Sequence, residues 1–139
     1  MRPPAVVDTN VVVSGLMTRD KDAPTAVVLS GMLRGSFRFL LSVDLLAEYR
    51  SVLLRPAIRR RHKMPEGDVD DLLAEIAALA EMRYLDAVSD RERRADRHLR
   101  LLLLASPGAV LVTGDEALRS SLPAGVEALT PRSFVVRLR

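Results

Sequence analysis

A chain of 139 residues is long enough to build one hydrophobic core and too short for two, so residues 1–139 are expected to form a single domain. Apolar residues make up 48% of it, and no tract is of low complexity, which excludes a disordered or fibrous chain. The absence of cysteine excludes disulfides, thiolate zinc sites and a thiol nucleophile, while a net charge of +3, carried by 19 arginines against 2 lysines, keeps a polyanion such as nucleic acid open as a partner.

The longest apolar runs, such as Leu101 to Ala105, are far below the roughly 20 residues needed to span a bilayer. No apolar signal region precedes the first strand-like segment, so the expected location is cytoplasmic and away from membranes.

In chain order, Ala5-Val6-Val7 is an apolar run of strand character that ends in the polar turn Asp8-Thr9-Asn10. Asp22 is placed to cap a helix from about Ala23, with Pro24 in its first turn and Gly35 as its stop. Phe37 to Leu41 is predicted to be a second strand. Ser42 then caps a helix that runs to about Leu54, before Pro56 interrupts it. Residues 66–82 show apolar positions at helical spacing, with Val69, Leu72, Leu73, Ile76 and Ala80 on one face. A third strand is expected from Tyr84 to Val88 and a helix from about Asp90 to Ala105, closed by Gly108. Ala109 to Val112 and Val126 to Leu129 are predicted strands, and a last short helix starts near Pro131. Short apolar strands alternating with helices imply βαβ units, hence a parallel sheet covered on both faces.

The acids stand out against this frame. Asp8 and Asp115 each follow a buried strand, where ligands of open parallel sheets gather; each also suits a plain helix cap. Glu48 borders the apolar stripe of Leu45, Leu46, Tyr49, Val52 and Leu53, and Asp96 shares a face with Leu99 and Leu103. An acid on a buried stripe needs a partner: Arg50 or Arg55 for Glu48 and Arg93 or Arg100 for Asp96, or else a metal ion. Converging carboxylates repel one another unless cations hold them together. With two histidines in the chain, the metal implied is a hard one bound by oxygen, Mg²⁺ or Mn²⁺. Asn10 and Thr113 are suited to orient Asp8 and Asp115, and Ser42 is a further candidate beside its capping role. Arg55, Arg59, Arg60, Arg61, His62 and Lys63 form one basic cluster; Arg91, Arg93, Arg94, Arg97 and Arg100 form another. Each is read either as a solvated face or as a grip on phosphate.

The segments AVVDTNVVVSGL, FRFLLSVDLLAEYRSVLLRP, LLLLASPGAVLVTGDEAL and LTPRSFV together resemble the PIN-domain proteins of toxin–antitoxin systems, relatives of VapC-type ribonucleases. The resemblance runs from residue 4 to about 136. It implies an α/β/α sandwich around a five-stranded parallel sheet ordered 3-2-1-4-5. It further implies a Mg²⁺- or Mn²⁺-dependent endoribonuclease that forms a homodimer and is inhibited by a small antitoxin. The family's acids match Asp8 in VVDTN, Glu48 in LLAEYR, Asp96 in ADRHL and Asp115 in VTGD; Asp8, Asp96 and Asp115 would hold the metal. The chain departs from the family around the third acid, where a D-x-x-D-[DN]-x-F pattern is replaced by Arg93-Arg94-Ala95-Asp96-Arg97-His98-Leu99. Arg97 therefore stands either as a weakening of the metal site or, with Arg59, Arg60 and Arg61, as a contact for RNA phosphate.

Two function classes follow: a metal-dependent ribonuclease, and a degenerate PIN fold that binds partners without cleaving. A receiver-type phospho-acceptor domain would need a lysine after a late strand, and Lys21 and Lys63 are the only lysines. No Gly-x-x-x-x-Gly-Lys and no Gly-x-Gly-x-x-Gly is present, so nucleotide-cofactor enzymes find no support.

Overall fold

A computed structural model describes residues 2–86, 91 and 96–139. The described elements are β1 (Ala5–Val7), α1 (Thr9–Met17), α2 (Pro24–Arg34), β2 (Leu40–Leu41), α3 (Val43–Leu53), α4 (Pro56–His62), α5 (Glu66–Leu79), β3 (Glu81–Met82), α6 (Arg97–Leu104), β4 (Val110–Val112), α7 (Glu116–Ser120), β5 (Glu127–Leu129) and α8 (Pro131–Leu138). The chain is thus a mixed α/β protein built on parallel strands.

The strands pair differently from the single five-stranded sheet expected. β1, β4 and β5 form one parallel sheet in the order β1-β4-β5, and β2 and β3 form a separate parallel pair. Between the two lies one isolated parallel bridge, Ala5 to Phe39, where the Ala5 N–H donates to the Arg38 carbonyl at 2.9 Å. With strands of two or three residues, one bridge leaves too little pairing for a ladder between β1 and β2, and the five-stranded order 3-2-1-4-5 is corrected accordingly. In the larger sheet Val7 lies beside Val112 and Val112 beside Leu129, so β1, β4 and β5 end together. β1 and β4 are buried throughout, as strands covered on both faces must be.

Several sequence signals act locally as expected. Ser42 Oγ accepts the Leu45 N–H at 3.1 Å and caps α3, Gly35 closes α2 with a φ of 66° that glycine adopts without strain, and Pro56 opens α4 after ending α3. Others are overturned. Ala23 rather than Asp22 is the N-cap of α2, without a side-chain bond. Residues 81–82 pair with β2 as strand β3 instead of extending α5, and Tyr84 to Asp86 have no regular structure; Val88 lies outside the described residues. The helix expected from Asp90 is described from Arg97, the residues from 92 to 95 and Asp90 itself lying outside the described part.

α4 has no counterpart among the predicted elements, and α1 and α7 are implied there only by the capping reading of Asp8 and Asp115. α1 forms through Val11, Val12 and Val13, residues of low helix propensity, and is held because all three are buried. α1 also lies close against α2: a Cβ on Gly15 would sit 2.5 Å from the Thr25 carbonyl oxygen, so that crossing requires glycine. α4 is a short basic helix with no buried residue, and α7 is a single turn and a half behind Asp115. The buried apolar residues of strands and helices form one continuous cluster, from Ala5 through Leu45, Ile76 and Leu111 to Val135.

Candidate metal centre

Asp8 is the last residue before α1 and its N-cap. Its Oδ1 accepts the Thr9 N–H at 2.8 Å, and its Oδ2 accepts the Thr113 hydroxyl at 2.7 Å and the Asn10 side-chain amide at 3.2 Å. Thr113 is fully buried at the end of β4, and its hydroxyl oxygen in turn accepts the Asp115 N–H at 3.0 Å. Asn10 Oδ1 accepts the Gly114 N–H at 3.4 Å. Asp115 Oδ1 caps α7 through the Leu118 N–H at 3.0 Å. Cap and site are therefore compatible for both aspartates: each commits one oxygen to its own helix and still stands at the strand edge.

Glu48 is positioned by α3. Tyr49 is fully buried and its hydroxyl donates to the carbonyl of Val7, the residue before Asp8. That bond holds α3 against the end of β1 and brings Glu48 beside the aspartate. Burial pushes the Tyr49 hydroxyl well above its ordinary pKa, with the charges of Asp8 and Glu48 adding to the effect, so it remains a donor. Glu48 Oε1 accepts the Thr9 hydroxyl, and Glu48 Oε2 lies 2.7 Å from His98 Nε2. Of the two arginines expected beside Glu48, Arg50 forks onto Asp70 and Glu66 of α5 at 2.7 Å each, while Arg55 lines the same pocket as Glu48.

Asp96 stands just before α6 in a left-handed conformation, φ 59°, rather than within the helix stripe predicted for it. Aspartate tolerates this region better than most residues. Asp8, Glu48, Asp96 and Asp115 all line one open pocket of about 570 Å³, with Thr9, Asn10, Ser51, Val52 and Arg55. Glu48, Ser51, Val52 and Arg55 follow one another at helical spacing, a stripe that leads from the acids to the start of α4. Arg55 is the cation among these lining residues. Ser42 is occupied as the α3 cap and, like Arg97, the exposed first residue of α6, is not among them. Arg59, Arg60 and Arg61 are exposed on α4.

The electrostatics of the pocket favour a cation. Burial raises the Asp8 carboxyl above the usual carboxylate range; hydrogen bonds from Thr113 and Thr9 oppose this, and the charges of Asp96 and Glu48 add to it. Asp96 is raised for the same first reason, then by Glu48, with Arg100 opposing. Carboxylates that burial and mutual repulsion both disfavour as anions are the donor set that a hard divalent ion fits. Glu48, Asp96 and His98 also offer donor atoms that all lie within 4.8 Å of one another.

Two contributors were missed from sequence. Thr9 was read as turn and His98 was set aside because histidines are few. A histidine two residues after a candidate ligand and next to the apolar Leu99 is the signal the sequence offers.

Residues 4–117 match the PIN domain family. The match spans most of the chain and includes all four acids, and the chain belongs to that family. None of the curated proteins compared with it matches. PIN domains are in general metal-dependent nucleases, and the described residues include an acidic group that could hold a metal ion. No described helix is long and apolar enough to cross a membrane.

Proposed function

We propose that residues 1–139 are a single PIN domain that hydrolyses RNA phosphodiester bonds with Mg²⁺ or Mn²⁺. The observation that supports this most is the gathering of four carboxylates, from the ends of β1 and β4 and from α3 and the start of α6, around one pocket. Asp8, Asp96 and Asp115 would hold the metal, with Asn10 and Thr113 orienting the first and last of them; Ser42 acts only through its cap on α3. A bound divalent ion lowers the pKa of water and screens charge developing on phosphate.

Glu48 orients the attacking water by accepting a hydrogen bond from it. The water oxygen bonds to phosphorus, the bond from phosphorus to O3′ breaks, and the products carry a 5′-phosphate and a 3′-hydroxyl. Arg59, Arg60 and Arg61 on α4 hold the flanking backbone without reading sequence, and Arg97 extends the contact from α6. By its resemblance to VapC-type proteins, the chain acts in the cytoplasm as the homodimeric toxin of a toxin–antitoxin pair, inhibited by a small antitoxin protein.

RNA cleavage assayed with and without Mn²⁺ tests the reading. Asp115→Asn is expected to abolish metal-dependent cleavage while the variant keeps its fold. The arginine beside Asp96 favours one other reading, a PIN fold that binds without cleaving; wild-type protein that binds RNA but neither cleaves it nor takes up Mn²⁺ would establish that alternative.

A further inference from the structure

His98 is 2% exposed, and its ring offers two nitrogens in unlike surroundings. Nε2 lies 2.7 Å from Glu48 Oε2. Nδ1 is buried and has no hydrogen-bond partner among the described residues. Any form of the ring with a proton on Nδ1 buries a donor that finds no acceptor. If that were the only proton, Nε2 would also face a carboxylate oxygen, acceptor against acceptor. A proton on Nε2 alone makes the short contact a hydrogen bond to Glu48 and leaves at Nδ1 only an unused lone pair, the less costly omission.

This tautomer also decides what His98 is for. A metal on Nε2 would displace the proton to Nδ1, where ligating histidines need an acceptor and His98 has none among the described residues. Its nearness to Glu48 and Asp96 is therefore a contact with Glu48, not a ligand position. The Thr9 hydroxyl of α1 already donates to Glu48 Oε1. The two oxygens of Glu48, itself on α3, are thus each claimed by a donor from a different helix.

We propose that His98 is a positioning residue: its Nε2–H, with the Thr9 hydroxyl, locks the Glu48 carboxylate in one orientation toward the pocket. The consequence for cleavage rests on the nuclease reading above, whereas the tautomer and the contact do not. Because Glu48 is taken to orient water rather than to bind metal or RNA, loss of the lock should lower kcat and leave substrate and metal binding nearly unchanged.

The test has two arms. In metal-free protein with ¹⁵N-labelled histidine, long-range ¹H–¹⁵N spectra should show His98 protonated at Nε2, and Glu48→Gln should shift the His98 signals. An Nε2 without a proton, or indifference to Glu48→Gln, would overturn the proposal. In the second arm, His98→Leu should lower kcat by about 10–100-fold, the range for outer partners of a metal site, with KM for RNA and the Mn²⁺ half-saturation within about twofold. His98→Gln, which restores an N–H donor, should recover most of the loss. A His98→Leu variant with unchanged kcat makes the residue mere core, and one that loses Mn²⁺ affinity makes it a ligand; either sinks the idea. If wild-type protein cleaves no RNA, the nuclease reading fails, and the spectra alone decide whether His98 holds Glu48.

Discussion

Thr113 joins two acids through one buried hydroxyl. It donates to Asp8 Oδ2 and accepts the Asp115 N–H, so the two strand ends are held in register by a group that touches no solvent. Thr113→Val keeps the shape and removes both bonds. Such partners typically contribute about 10–100-fold to metal affinity, and the expected result is a Mn²⁺ Kd raised by that factor in calorimetric titration. Leaving buried groups unpaired should cost about 1–3 kcal/mol of stability as well; an unchanged Kd would remove Thr113 from the support of the site. Asp8 gives the complementary case. Its carboxyl is raised chiefly by burial, so without metal its contribution to stability is full below the unfolded carboxylate pKa and lost as pH rises through the raised folded value. Asp8→Asn removes that buried charge. In chelator at pH 7.5 it should melt no lower than wild type, the difference shrinking toward pH 4, and added metal should no longer raise its melting temperature.

At the scale of the element, α3 and α4 divide the work. α3 carries Glu48, is tied to β1 through Tyr49 and to α5 through Arg50, and is therefore a rigid support. α4 has no buried residue, which leaves its arginines little role in the core. Arg55, at the junction of the two, stands on the pocket wall, so RNA bound at the acids would continue onto α4. Replacing Arg59, Arg60 and Arg61 together by alanine should weaken RNA binding and reduce the slope of log K against log salt by about 2, if each arginine neutralises one phosphate of a single strand. Filter-binding at several salt concentrations measures this directly. A slope equal to that of the wild type would mean α4 is only a solvated face.

For the whole molecule, the pocket makes stability depend on metal. An ion that binds only the folded state stabilises it by mass action, and protons compete with it for Asp8 and Asp96, whose carboxyls are both raised. The melting temperature should accordingly rise on adding Mn²⁺ or Mg²⁺, by more at pH 7.5 than at pH 5. A melting temperature indifferent to both ions at both pH values would favour a domain that binds without cleaving.

What the sequence determined by itself was local. Apolar runs marked β1 and β4, Ser42 and Gly35 marked where helices start and stop, and Asp8, Asp115 and Glu48 fell at strand ends and a stripe border because these signals act within a few residues. Tertiary structure decided the rest. The valines of α1 become helical only because a core receives them, and Glu81 and Met82 become strand only because β2 lies beside them. The division of the strands into two sheets depended on whether β1 and β2 could extend a single bridge. The partners of Glu48 come from 39 and 50 residues away. Contacts over such separations depend on how α1, α3 and α6 pack, and no spacing along the chain encodes that.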